Sequence, residues 1–184
     1  RPYHTVYDPM CGSGTIAIEA ALMACNIAPG VSRRFTAEEW KQVPANVWQE
    51  ERAAARALEK RDIPFKAYGS DIDPEALSIA KENARRAGVE EFVSFTQKDV
   101  RSFAPEEEKY TVIVNPPYGE RLLDTEDARK IYKDLGALFV PGKGKAYYVI
   151  TADEEFEKAF GRKADKRRKL YNGMIKCQVY MYFK

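Results

Sequence analysis

A short β-rich run, Thr5 to Asp8, stops at an acid and turns through Pro9-Met10-Cys11-Gly12-Ser13-Gly14-Thr15. It then enters a largely apolar stretch, Ile16 to Ala28. A strand, a glycine-bearing turn and a buried helix are the opening of a doubly wound α/β fold, and few other folds begin this way. The pattern then repeats in outline. Pro64 to Asp71 reads as a second strand ending in an acid, and Asp73 with Pro74 supplies a cap and first turn for a helix over 75–87. In that helix Leu77, Ala80 and Ala84 share one face and Gly88 ends it. Phe92 to Asp99 is a third strand with a terminal acid. Tyr110 to Val114 is an apolar fourth, stopped by Pro116 and Pro117. A helix over 127–139, a strand over 145–151 and a short helix over 154–160 follow.

Two alternating runs about Asn172-Gly173 predict a closing antiparallel hairpin. The expectation is a Rossmann-like, mostly parallel sheet with helices on both faces and a C-terminal antiparallel strand. Residues 31–60 interrupt the alternation with an Ala-, Glu- and Arg-rich insert. Pro44 divides it into two helices; Thr36 and Glu39 suggest a capping box, and Trp40 and Trp48 are expected to pack.

With 184 residues, the chain suits a single domain spanning 1–184. Its start at Arg1 rather than Met fits a piece of a longer protein. No run approaches the roughly 20 apolar residues of a membrane-spanning helix, and the first residues lack the apolar segment of a signal peptide. Three widely spaced cysteines, Cys11, Cys25 and Cys177, offer neither a disulfide framework nor a zinc spacing, so no metal is expected and a reducing cytoplasm is the plain reading. The single histidine, His4, has no evident catalytic partner and reads as structural.

The chemistry concentrates at the strand ends. Asp8, Asp71 and Asp99 each close a predicted strand, and ligands of open parallel sheets bind beyond the carboxyl ends of the strands. Three carboxylates on one edge suit a ligand with several hydroxyl or amine donors. Gly12 and Gly14 let the backbone approach it closely. The string Gly12-x-Gly14-x-x-Ala17 meets a loose dinucleotide fingerprint, yet the next strand-end acid lies far beyond the roughly 20-residue spacing of such sites. A nucleoside without a pyrophosphate fits better. Asp71 can accept both ribose hydroxyls and Asp99 an adenine amino group.

Asn115-Pro116-Pro117-Tyr118 follows the fourth strand on the same edge. The Asn side-chain oxygen and the carbonyls of a proline pair, which has no N–H of its own, are rigid acceptors for the hydrogens of an exocyclic amino group. Tyr118 is a surface on which an extruded base can stack, worth about 1–3 kcal/mol.

These two segments resemble the cofactor and catalytic motifs of class I S-adenosylmethionine-dependent amino-methyltransferases. More narrowly, "DPMCGSGTIAIEAALMACNIAPG", "GSDIDPEAL" and "LYNGMIKCQ" resemble the methylase domain of the THUMP-associated RNA methylase family. That resemblance implies that Asp8, Pro9, Cys11, Gly12, Ser13, Gly14 and Thr15 hold the methionine part of S-adenosylmethionine. It places Asp71 on the ribose, Ile72 against the adenine, and Asp99 and Val100 at the adenine edge. Asn115, Pro116, Pro117 and Tyr118 then hold the target base, and Glu19 is a candidate to reach back to the cofactor. The implied reaction is methylation of guanine N2 in RNA, 23S rRNA before tRNA, by a domain following an RNA-binding THUMP-like domain. A DNA adenine-N6 methyltransferase and a tRNA guanine-N2 methyltransferase remain alternatives, because the four-residue motif serves any exocyclic amine. A non-catalytic nucleotide- or RNA-binding module is least consistent with an intact Asn115 and Tyr118.

A net charge of +2 is too small to mark a nucleic-acid binder by itself. Contacts to RNA are therefore expected from local clusters. These are Arg162, Lys163, Lys166, Arg167, Arg168 and Lys169 near the hairpin, and Arg33-Arg34 after the first helix.

Overall fold

Strand order 3-2-1-4-5-7-6 sets the architecture. The computed structural model describes residues 4–117 and 125–183, and these form one seven-stranded sheet. β1 (Thr5–Asp8) lies between β2 (Ala67–Asp71) and β4 (Tyr110–Val114); β3 (Val93–Gln97) and β5 (Lys145–Thr151) extend the sheet outward, all parallel. β7 (Ile175–Tyr182) joins β5 antiparallel, and β6 (Lys166–Asn172) closes the sheet as an edge strand. The order reverses between β1 and β4, the switch point at which such sheets bind ligands.

Two hydrophobic cores lie along the sheet. α1 (Thr15–Ala24) and α3 (Pro74–Ala87) pack Ala17, Ala21, Leu77, Ala80 and Ala84 with Val6, Ala67 and Phe95. α4 (Thr125–Leu138) and the short α5 (Phe156–Phe160) pack Tyr132, Leu135 and Phe156 with Tyr110, Val112, Val149 and Tyr180. The helices α4 and α5 meet closely at Gly136, where a Cβ would fall 1.9 Å from the Phe160 carbonyl oxygen. α3 begins as its sequence demands: Asp73 Oδ1 accepts the Glu75 N–H at 2.8 Å, Pro74 occupies the first turn, and Gly88 leaves it at φ 67°.

Three local expectations are corrected. α1 stops at Ala24 instead of continuing to Ala28, because Asn26 enters the left-handed region at φ 53°. In the insert, a 3-10 turn at Thr36–Glu39 precedes α2 (Ala45–Ala57), but its cap is shifted by one residue: Glu38 Oε1 accepts the Phe35 N–H at 2.7 Å. Trp40 does not pack, being 59% exposed, whereas Trp48 stacks on Phe35 at 5.9 Å. α2 buries no residue.

The hairpin turn is likewise displaced. Asn172 pairs with Ile175, so the two turn residues are Gly173 and Met174, with Gly173 at φ 63°. A two-residue loop with glycine first is a type II′ arrangement rather than the expected Asn-Gly turn. β5 ends at Thr151, paired with Gln178, so the hairpin from Leu170 to Cys177 runs on past the carboxyl edge of the parallel strands.

Among the described residues, no helix is long and apolar enough to cross a membrane, and no cluster of His, Cys, Asp or Glu could hold a metal ion. The three cysteines are free thiols in the interior.

Candidate active site

The parallel register carries Asp8, Asp71, Asp99 and Asn115 to one edge. Asp8 ends β1 beside Gly69, Asp71 ends β2, and Asp99 lies two residues past β3. Asn115 follows Val114, the last residue of β4, the neighbour of β1. The loop Pro9–Gly14 leaves β1 into this edge. Its course is fixed by backbone bonds: the Cys11 N–H donates to Ser70 O at 2.9 Å, and Gly14 N–H to Cys11 O at 2.8 Å. Gly14 caps α1 at φ 82°, where a Cβ would fall 2.7 Å from Phe95 Cζ. Gly12, at φ 50°, is different. A Cβ there would meet nothing within 4 Å, so the bare backbone of Gly12 faces open space.

Asp71 ties this loop to β2. Its Oδ2 accepts the Gly12 N–H at 2.8 Å and its Oδ1 the Asp73 N–H at 3.1 Å. A carboxylate offers about four lone-pair sites, so two remain for outside donors. Ser13 is held from the other side, its carbonyl accepting Asn83 Nδ2 at 3.0 Å. Asp99 caps a 3-10 turn at Val100–Ser102: Oδ1 accepts the Arg101 N–H at 2.8 Å and Oδ2 the Arg101 guanidinium at 3.2 Å. Arg101 also donates to Asp134 of α4 at 2.9 Å.

Between these groups lies a pocket of about 90 Å³, lined by Asp71, Ile72, Asp99, Val100 and Pro9. Met10, Lys98, Arg101 and Ile131 complete it. The last four are absent from the sequence-based set. Met10, Lys98 and Arg101 adjoin its members, but nothing local links Ile131 of α4 to it. Ile72, an apolar side chain, is 66% exposed beside the pocket. A second cavity, of about 270 Å³, shares Pro9 and Lys98 and is floored by Tyr7 stacked on Tyr68 at 5.1 Å. Glu107 walls it and accepts the Tyr7 hydroxyl.

Asp8 is the buried acid of the edge, 2% exposed. Burial pushes its carboxyl up to about 7 and the Asp71 charge adds to this, while the Met10 N–H at 3.4 Å opposes both. Burial, with Asp8 and Asp71 nearby, also drives the Cys11 thiol up to about 12, so it is no nucleophile at neutral pH.

In the acceptor segment Asn115 is exposed, Pro116 is buried and Pro117 half-buried. The Pro117 carbonyl accepts the Tyr132 hydroxyl at 3.1 Å, which anchors the segment to α4 and engages one of the expected acceptors. Tyr118 lies outside the described residues. Ser13 and Thr15 are exposed on the loop, and Glu19 is exposed on α1.

The basic residues are not brought together. Arg33 and Arg34 sit in the insert at the amino edge, opposite the carboxylates; Arg33 lies 6.0 Å from the Phe35 ring, and Arg34 pairs with Glu39 at 3.7 Å. The Arg162 guanidinium lies beside the stacked Phe160 and Tyr182 rings, 5.4 and 5.5 Å from their centroids, and donates to the Phe139 carbonyl at 2.5 Å. Lys163 follows it at that same end. Arg167 is bound by Glu157 and covers Tyr180. Lys166, Arg168 and Lys169 are exposed along β6, with Lys169 nearest the carboxyl edge.

Comparison with known proteins follows the same lines. The family model described as UPF0020, RMKL-like, methyltransferase domain, matches residues 1–181. A Bacillus subtilis (strain 168) protein named as an RNA methyltransferase, YpsC, is 43% identical over 183 residues, covering 100% of this chain and 47% of that protein. Ribosomal RNA large subunit methyltransferase K/L of Shewanella baltica (strain OS155 / ATCC BAA-1091) is 43% identical over 183 residues, covering 97% of this chain and 26% of that protein. A solved structure, SMU.472, described as a methyltransferase complexed with SAH, superposes with a TM-score of 0.93 at 41% identity. The match covers 99% of this chain and 48% of that one. The chain thus spans half or less of the length of these relatives.

Proposed function

The chain belongs to the family of RMKL-like methyltransferase domains, and from that membership we propose that it transfers a methyl group from S-adenosylmethionine to an exocyclic amino group of an RNA base. The base we assign is guanine, at N2, in 23S rRNA. The names of the two relatives support an RNA substrate, the second a ribosomal one. The observation that carries the reading is the adjacency of two unlike devices at the β1–β4 switch point. On β1 a bare-backbone loop is pinned to a carboxylate; on β4 an exposed Asn115 is followed by two prolines.

The residues fit the cofactor. Gly12 leaves open space where any side chain would intrude, Asp71 retains two acceptor sites for a ribose, and Ile72 and Val100 flank a pocket for a flat ring. Asp99 is the acceptor at that ring's edge, and Asp8 to Thr15 form the cradle for the amino-acid part. When bound, S-adenosylmethionine supplies a methyl group already activated by the sulfonium charge. The protein's task is therefore positioning and exclusion of water. Asn115 Oδ1 and the Pro116 carbonyl accept the two amine hydrogens and direct the nitrogen lone pair toward the cofactor side of the edge. Pro117, held by Tyr132, fixes their direction. The stacking surface remains assigned to Tyr118 on its sequence motif alone.

Incubation with methyl-labelled S-adenosylmethionine and either total RNA or DNA, then nucleoside digestion and mass analysis, tests the reading. N2-methylguanosine from the 23S fraction is the expected product. Label in DNA as N6-methyladenine overturns it in favour of a DNA enzyme, N2-methylguanosine confined to tRNA moves the substrate, and no label in either sinks the assignment.

A further inference from the structure

The β6–β7 hairpin stands above the edge that carries the candidate site. Three residue pairs, Leu170–Cys177, Tyr171–Lys176 and Asn172–Ile175, lie beyond Thr151–Gln178, the last pair that β5 supports. At about 3.4 Å per residue the tip rises roughly 10 Å past the end of β5. Two strands separate β6 from β4, which puts the tip about 14 Å to one side of Asn115.

What the tip displays is not what its fold requires. A type II′ turn needs glycine at its first position, which Gly173 provides, and leaves the second open to any polar residue. That second residue is Met174, 99% exposed. Tyr171, one pair below the turn, is 61% exposed, and its ring lies 5.1 Å from Lys169 Nζ. Lys176, opposite Tyr171, makes an exposed contact to Glu154 at 3.3 Å. An apolar wedge and an aromatic plate, with lysines on both strands, match a stacked polyanion, in which flat apolar faces alternate with phosphates.

We propose that this hairpin tip is a nucleobase-contacting element: Tyr171 stacks on, and Met174 wedges between, bases of the RNA flanking the target, with Lys169 and Lys176 on their phosphates. The inference rests on the RNA-methyltransferase reading and deepens it. A base delivered to Asn115 must leave its stack, and a protrusion of this height meets the strand it leaves behind.

The test compares wild type with Tyr171→Ala, Met174→Ala, their double variant and Tyr171→Phe. The probes are a fluorescein-labelled RNA stem-loop in binding titrations and an unmodified 23S rRNA transcript in methyl transfer. The double variant is expected to bind the stem-loop about tenfold more weakly and to lose at least as much in kcat/KM. Its thermal midpoint and SAH affinity should stay at wild-type values, and Tyr171→Phe should bind within twofold of wild type. If wild type methylates RNA and the double variant matches it in binding and rate, the hairpin proposal is overturned while the function stands. Hairpin-dependent RNA binding without methyl transfer to RNA supports the hairpin and overturns the function. Absence of RNA binding by wild type overturns both. A change in sedimentation mass with unaltered RNA affinity identifies the tip as a protein contact and overturns the proposal.

Discussion

Asp71 accepts the Gly12 amide at 2.8 Å, so the carboxylate at the end of one strand holds the loop that leaves its neighbour. The bond links residues 59 apart in sequence and sets the shape of the loop before any ligand arrives. Asp71 is thus both a candidate ligand group and a brace.

Removing it should separate those roles by size. Asp71→Ala strands the Gly12 and Asp73 amides at a half-exposed site, at a cost of about 1–2 kcal/mol in stability. S-adenosylhomocysteine affinity should fall by about 10–100-fold, since ribose acceptors and loop geometry are lost together. Calorimetric titration beside urea unfolding checks both; unchanged affinity would remove Asp71 from the cofactor site.

Asn115 should behave in the opposite way. Asn115→Ala is expected to lower kcat by about 10²–10³-fold and leave S-adenosylhomocysteine affinity within twofold, because the proposed reaction has its amide oxygen act on the acceptor alone. Single-turnover transfer and equilibrium binding measure the two. Equal losses in both would place Asn115 in the cofactor cradle instead.

Asp8 predicts a pH dependence of stability. Its carboxyl titrates at about 7 in the fold against 3.8 unfolded, so between these values the native state holds a proton that the unfolded chain has released. Stability from this group is full below about pH 4 and is lost as pH rises through 7, a loss on the order of 2–4 kcal/mol. Asp8→Asn should flatten that slope in urea midpoints taken from pH 5 to 8. Identical slopes in the two proteins would contradict the assignment.

Two arginines of one basic run should part company. Arg162→Ala removes a guanidinium packed beside the Phe160–Tyr182 stack and unpairs the Phe139 carbonyl, for an expected cost of about 2–3 kcal/mol. Arg168→Ala, exposed on β6, should leave the thermal midpoint alone and reduce the salt slope of RNA binding by about one. An unaltered slope would show that Arg168 meets no phosphate.

Much of the fold was legible because its signals are local. Asp73, Pro74 and Gly88 bound α3, and its buried residues are the Leu77, Ala80 and Ala84 stripe read from the spacing. The strand-end acids reach one edge because parallel strands send every carboxyl end the same way. Where the reading missed, the cause was distant. Nothing near Arg162 in sequence reveals the ring of Tyr182, and nothing near Trp40 reveals that its insert leaves the sheet. Ile131 enters the pocket because α4 lies against the 3-10 turn at Val100–Ser102, where Arg101 donates to Asp134. The hairpin slipped by one residue because Asn172-Gly173 satisfies one turn type while the ladder chose Gly173-Met174.

The two hydrophobic nuclei lie on opposite faces of the sheet: β1 sends Val6 to one and Tyr7 to the other, and β4 sends Ile113 to the first and Val112 to the second. The glycine loop straddles the two layers, with Cys11 set in the first and Met10 packed against the second. A change of volume in either layer is therefore felt at the loop, which ties its shape to the packing of both faces at once.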